Sequence, residues 1–305
     1  MKQNANLLGS RYAYDGMSIL NLHQSDLDII KKMNIDLSNG TYQSELVPCE
    51  ICGNLDFDLL SEKDRYGLKV KCVICKKCGL IQLNPKMTEE SYKYFYNKVY
   101  RKLYNSNRGN SQEIERYFNK EVANGKNIFH YLLQNNSIKK PLKEIFILEV
   151  GCGAEGHLQY FRESGCRVKG IDLGSEYINY TKNKYDLDLQ IGQLSDISLN
   201  KKPNIIIYHH VLEHIRHINK ELELIHENLA DDGIIYIEVP GVKVSLYHLK
   251  RKMDFLRSLH IAHINYFTKT TFNNLMRING FCPITMDNKV RGIFEKFDES
   301  PAKII

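Results

Sequence analysis

Ile145-Phe146-Ile147-Leu148-Glu149-Val150-Gly151-Cys152-Gly153-Ala154-Glu155-Gly156-His157 is where the chain shows its plan most openly. Ile145 to Leu148 and Val150 form an apolar run of strand length, which predicts a buried strand. Glycines follow at 151, 153 and 156, and a helical pattern begins behind them. Glycine is needed where a strand turns sharply and backbone must approach a ligand closely. The helix that starts there offers N–H groups with no partner in the helix. The turn is therefore built to hold a small molecule against bare backbone.

Gly151-x-Gly153-x-x-Gly156 also fits the dinucleotide fingerprint. Glu149 argues for a different ligand. A carboxylate at the strand end suits a cation such as the sulfonium of S-adenosylmethionine (SAM) and is unhelpful beside a pyrophosphate. From the turn onward, strands alternate with helices, which predicts a parallel sheet covered by helices on both faces. The second strand, Arg167 to Asp172, ends in a carboxylate 21 residues after Gly151, placed to accept hydrogen bonds from ribose hydroxyls. A helix over 175–185 and a strand over 187–191 lead to Gly192-Gln193-Leu194, where Gln193 is placed to meet an adenine edge and Asp196 competes for that role. Strand four, Asn204 to Tyr208, runs into His209-His210-Val211-Leu212-Glu213-His214. His209 and His210 lie nearest the cofactor, while Glu213 and His214 read as the start and packing of a helix. A helix over 219–229 and a strand over 234–240 follow. Lys243, Lys250, Arg251, Lys252 and Arg257 then make a basic stretch that is a solvated face or meets a diphosphate. A helix from about 269, one final strand after Gly280 and a charged tail close the chain.

Upstream, Cys49-x-x-Cys52-Gly53 and Cys75-x-x-Cys78-Gly79 are two copies of one device. A two-residue gap lets both thiolates reach one tetrahedral zinc, and the glycine allows the turn that aims N–H groups at sulfur. Four thiolates leave no open coordination position, so the site would be structural. The 22 intervening residues should carry a hairpin, and Cys72, without a following glycine, reads as a bystander. Thr88 caps a helix whose Tyr92, Tyr96 and Tyr100 share one face. That face packs, or its hydroxyls close over the cofactor, with Tyr100 foremost. A second helix spans 113–134, and Ser25 or Asp26 would cap a short helix ending near Met33. The resulting division is an extension (1–45), a zinc-binding module (46–86), a helical lid or linker (87–140), a Rossmann-like domain (141–295) and a tail (296–305).

The 305 residues hold 43% hydrophobic and 26% charged residues, ordinary globular usage. No apolar run has the length of a membrane span, and the N-terminus lacks a signal-peptide core. A cytoplasmic protein is expected. Its eight cysteines are then thiols or metal ligands rather than disulfides. A net charge of +6 is too mild to argue for nucleic acid and suits an anionic small substrate. The oligomeric state leaves no trace in the sequence.

Leu148-Glu149-Val150-Gly151-Cys152-Gly153 resembles motif I of class I SAM-dependent methyltransferases, and His210-Val211-Leu212-Glu213-His214 resembles the stretch after strand four in one branch of them. The whole arrangement resembles sugar-modifying methyltransferases with an N-terminal zinc-binding module, whose best-known members add a carbon-bound methyl to nucleotide-linked ketosugars. Cys78 to Pro85 and His263 to Thr268 carry that likeness. It implies SAM held by Glu149, Gly151, Cys152, Gly153, Asp172, Gln193, Leu194, His209 and Tyr100, and structural zinc on Cys49, Cys52, Cys75 and Cys78. It also implies a sugar or sugar-nucleotide acceptor from surface-polysaccharide or deoxysugar biosynthesis, with a phosphorylated or other small metabolite as the alternative. The family's Tyr-His-Glu-His string ends on His263, the position of its base, but Ala262 stands at the glutamate position and His260 at the tyrosine position. The family's third domain has no counterpart in these 305 residues. Both differences favour O- over C-methylation, with His263 as base and His260 and His210 in support. A nicotinamide-dependent oxidoreductase with structural zinc is the rival reading, and Glu149 and the stretch after strand four speak against it.

Overall fold

The computed structural model describes residues 6–100, 103, 111–153, 156–242 and 255–297. Helix α1 (Gln24–Ser38) precedes five short strands: β1 (Ser44–Glu45), β2 (Phe57–Lys63), β3 (Lys69–Cys75), β4 (Ile81–Leu83) and β5 (Lys86–Met87). Helix α2 (Glu89–Phe95) continues into a π-helical turn over Tyr96–Tyr100, and α3 (Ser111–Gln134) follows. The regular alternation then begins: β6 (Phe146–Val150), α4 (Gly156–Glu163), β7 (Arg167–Asp172), α5 (Ser175–Tyr185), β8 (Leu189–Ile191), β9 (Ile205–His209), α6 (Ile218–Asn228) and β10 (Ile234–Glu238). Strand β11 (Asn265–Tyr266), α7 (Lys269–Ile278), β12 (Phe281–Met286) and β13 (Arg291–Lys296) complete it.

Seven strands form the central sheet in the order β8-β7-β6-β9-β10-β13-β12. The first five are mutually parallel, and β13 runs antiparallel between β10 and β12. Side chains alternate across a strand, so β6 sends Leu148 and Val150 to one face and Ile147 to the other. Leu222 and Ile225 of α6 and Phe272 and Leu275 of α7 cover the first face. Ile128 and Leu132 of α3, Leu158 and Phe161 of α4 and Ile178 of α5 cover the second. The expected α/β architecture, a mostly parallel Rossmann-like sheet with helices on both faces, is therefore present.

The N-terminal residues build a second sheet, in the order β11-β4-β3-β2. The hairpin expected between the cysteine pairs is β2–β3. Its fourth strand comes from the far end of the chain, Asn265 opposite Gln82 and Tyr266 opposite Ile81. Around it Leu60, Cys72, Leu83, Phe255, Leu256 and Tyr266 share one core. Segment 255–266 thus belongs to the N-terminal lobe in space, although the sequence division puts it in the large domain.

Other expectations are corrected. Helix α3, assigned to the lid or linker, packs on the central sheet, with α4 directly against it: a Cβ on Gly156 would meet Phe118 O at 2.2 Å and Val122 N at 2.4 Å. Helix α1 has His23 at its N-cap with no side-chain cap bond, and runs to Ser38 because Ile30, Met33 and Leu37 face one apolar cluster. Glu213 and His214 lie in a short 3-10 turn, Leu212–His214, rather than opening a helix. The single final strand is a hairpin, β12–β13, turning at 287–290. Lys243, Lys250, Arg251 and Lys252, and the tail beyond Phe297, lie outside the described residues. Among the described residues no helix is long and apolar enough to cross a membrane.

Candidate active site

The glycine turn follows β6 as the sequence predicts, with Gly151 and Gly153 at φ 69° and 58°, conformations that favour glycine. Gly151 also has no room for a side chain, since a Cβ there would lie 2.4 Å from Val211 Cγ2. Asp172, at the end of neighbouring β7, accepts from Gly153 N at 3.0 Å and Gly174 N at 2.5 Å, one bond to each carboxylate oxygen. Its carboxylate is thus fixed beside the turn and keeps lone pairs for a further donor. Gln193 is exposed, and its N–H donates to Asp196 Oδ2 at 3.0 Å. Leu194 and Cys152 are buried, so neither presents its side chain to solvent.

Glu149 lies at the expected strand end, but its carboxylate already has a cationic partner. His157 Nδ1 is 2.5 Å from Glu149 Oε1, and His157 Nε2 is 2.8 Å from Glu121 Oε2 on α3. Burial opposes charge on this imidazole, but the two carboxylates overcome it and push its pKa up to about 10. Glu121 is also resisted by burial, and contact with His157 holds it down at about 2. The turn therefore rests on a buried carboxylate–imidazolium–carboxylate triad. Neither Glu121 nor His157 is marked by sequence spacing, because the pairing exists only once α3 crosses α4.

Imidazoles continue from that triad along the carboxyl ends of the strands. His209 meets His157 edge to face at 4.8 Å between ring centroids, and His210 meets His209 at 4.4 Å. Burial first, then the nearby His157 and His210, lowers His209 to about 2 and leaves it neutral. His210 has φ 57° and is anchored by its N–H to Glu238 O at 2.8 Å. Burial works against its charge, while Glu213 and Glu238 raise its pKa above the usual value.

Glu213 is the centre of the next group. Its Oε1 is 3.5 Å from His210 Nδ1, 3.8 Å from His214 Nε2 and 3.8 Å from His263 Nε2. His263 arrives on the 255–266 segment, held in place by Ile264 N donating to Glu213 O at 2.8 Å. The His260 ring lies 3.6 Å from that of His263. Burial pushes both His260 and His263 well below their usual pKa, with neighbouring charges adding to it, so both are neutral imidazoles. Tyr92 donates to His214 O at 2.6 Å, the Tyr96 hydroxyl is 2.8 Å from His214 Nδ1, and Tyr100 stacks on Tyr96 at 4.5 Å. The tyrosine face thus meets the imidazole group. The structure brings His210, His260 and His263 together as the sequence reading did. It adds Glu213 and His214, which that reading left as cap and packing.

The four cysteines of the two pairs converge. Cys49 and Cys78 sulfurs are 3.3 Å apart, Cys52 and Cys75 sulfurs 3.5 Å apart, and all four lie within 4.8 Å of one another. Tetrahedral zinc with bonds of about 2.3 Å puts its sulfurs about 3.8 Å apart, so the cage has the right size. Gly53 and Gly79 take φ 67° and 77° as the motif requires. Burial raises the Cys75 thiol, but N–H groups of Cys78 and Lys77 prevail and bring it down to about 6. Cys72 lies in the lobe's apolar core, apart from the four.

A family model described as a methyltransferase domain matches residues 111–285, more than half of the chain. A ubiquinone biosynthesis O-methyltransferase from Pelagibacter ubique (strain HTCC1062) is 28% identical over 106 residues, covering 33% of this chain and 44% of the relative. The chain therefore spans less than half the length of that curated relative. Among solved structures, a Burkholderia thailandensis 1,6-didemethyltoxoflavin-N1-methyltransferase with S-adenosylhomocysteine is similar at 17% identity and TM-score 0.49, covering 74% of this chain and 98% of that one. The plantazolicin methyltransferase BpumL with S-adenosylhomocysteine is similar at 17% identity and TM-score 0.46, covering 68% and 94%.

Proposed function

The chain belongs to the methyltransferase-domain family, and from that premise we propose that it moves a methyl group from SAM to a hydroxyl of a small acceptor, a sugar or sugar nucleotide. The observation that carries the proposal is the group of neutral imidazoles, His260 and His263 with His210 beside them, at the same end of the sheet as the glycine turn. Ligands of open α/β sheets bind at that end. The acceptor oxygen would bond to the methyl carbon, the carbon–sulfur bond would break with its electron pair going to sulfur, and the hydroxyl proton would pass to the imidazole group. His263 is the first candidate as base and His210 the second. His263 starts neutral and can accept the proton, while the burial that lowers its pKa makes it a weaker base than an ordinary imidazole; alignment supplies much of the rate. Likeness to an O-methyltransferase supports an oxygen acceptor, and the net charge of +6 supports an anionic one. A phosphorylated metabolite is the second reading on the same charge. Zinc on Cys49, Cys52, Cys75 and Cys78 would be structural, tying the N-terminal lobe together.

The test is calorimetry with SAM and S-adenosylhomocysteine on the full chain and on Asp172→Ala. Micromolar binding that weakens at least tenfold in the variant is expected, and a screen of sugar nucleotides would follow. No binding to the folded wild type would end this reading.

A further inference from the structure

Glu213 has 1% of its surface exposed, and neither carboxylate oxygen finds a hydrogen-bond donor among the described residues. The nearest nitrogen, His210 Nδ1, stands 3.5 Å from Oε1; burying a carboxylate so loosely paired is costly, and the usual remedies are closer pairing or a metal. What faces it is a set of nitrogens. His214 Nδ1 lies 2.9 Å from Ala262 O. A carbonyl only accepts, so a proton on Nδ1, shared between Ala262 O and the Tyr96 hydroxyl oxygen at 2.8 Å, fits this bond and leaves Nε2 bare. Nε2 is the atom 3.8 Å from Glu213 Oε1, as is Nε2 of His263. One carboxylate oxygen and two imidazole nitrogens lie within 4.8 Å of one another. An ion with bonds of about 2.1 Å would draw such atoms to about 3.4 Å apart, so each of the two 3.8 Å oxygen–nitrogen distances would shorten and the two rings would close toward the ion. The bond from His214 Nδ1 to a backbone carbonyl is the outer contact that orients metal-binding histidines.

We infer that Glu213, His214 and His263 bind a divalent transition-metal ion, separate from the cysteine site, with an open side for the acceptor's oxygen. Two imidazoles and one carboxylate suit zinc, iron or manganese rather than magnesium, and three protein ligands leave room for an exogenous oxygen. An ion there would satisfy the Glu213 carboxylate and lower the pKa of a bound hydroxyl. His263 would then serve as ligand rather than as base. The acceptor role rests on the proposed methyl transfer, whereas the ion itself does not.

The experiment is titration of the metal-free, reduced full chain with cobalt(II) alone, read by absorption and by metal content. Wild type is expected to take two equivalents, one with thiolate-to-cobalt charge transfer and one without. Glu213→Gln and His263→Gln should each weaken only the second by about a hundredfold or more. The inference falls if wild type takes up no equivalent beyond the thiolate-bound one, or if the second equivalent is unchanged in both variants. The wild-type result stands whether or not a variant folds. S-adenosylhomocysteine binding to the metal-free chain, measured in parallel, separates failure of this inference from failure of the methyl-transfer reading.

Discussion

Replacing His157 by leucine would leave Glu121 and Glu149 buried with no cation between them. The size of the loss follows from the triad itself. A rise in pKa from 6.5 to about 10 corresponds to on the order of 5 kcal/mol favouring the charged imidazole. Removing one partner of a buried ion pair costs about 3–5 kcal/mol in general. A loss of about 3–5 kcal/mol at pH 7 is therefore expected, and its pH dependence is distinctive. His157 has a raised pKa, so its contribution is complete below pH 6.5 and fades as pH rises through about 10. Glu121 has a lowered pKa, so its contribution is complete above pH 4.5 and fades as pH falls toward about 2. In His157→Leu the stranded carboxylates regain stability by taking up protons, so the variant improves as pH falls. The gap between the two proteins should be widest near neutrality and shrink toward pH 5. Urea unfolding followed by circular dichroism from pH 5 to 9 measures it, which suits a chain without tryptophan. A gap below about 1 kcal/mol at pH 7, or two parallel curves, would refute the triad as an electrostatic unit.

Gly156→Ala forces a methyl group into the backbone of α3, and such overpacking costs about 1–3 kcal/mol; thermal unfolding should show it, together with weaker SAM binding. Cys75→Ser should abolish zinc retention at the cysteine site and speed proteolysis of residues 44–87, read by metal analysis and mass spectrometry. His263→Ala should lower turnover about 10²–10⁴-fold with SAM affinity kept, and near-wild-type turnover would remove His263 from the mechanism.

Local features could be read from the sequence, and meetings between distant segments could not. The glycine turn, Asp172 and the two cysteine pairs each carry their signal within a few residues, because backbone geometry and ligand bite are short-range demands. The alternation of β6 through β10 was readable for the same reason, since strands buried on both faces are continuous apolar runs. His157 was silent because its partners are 8 residues upstream and, on α3, 36 upstream. Glu213 was misread because a carboxylate near a helix start has an ordinary reading as a cap, and only segment 255–266 makes it a centre. The contact of Tyr100 with His214, 6.2 Å between ring centroids, is likewise a meeting of distant segments that no local spacing announces.

The pairing of β11 with β4 also has a consequence during synthesis. The N-terminal lobe leaves the ribosome with β4 as a bare sheet edge, and its closing strand lies about 180 residues later in the chain. At about 5–20 residues per second the edge waits about 10–40 s for its partner. An unpaired edge is a template for other chains. The stretch Ile81 to Leu83 is then the place where nascent copies on neighbouring ribosomes would first find one another, and where a chaperone would do the most good.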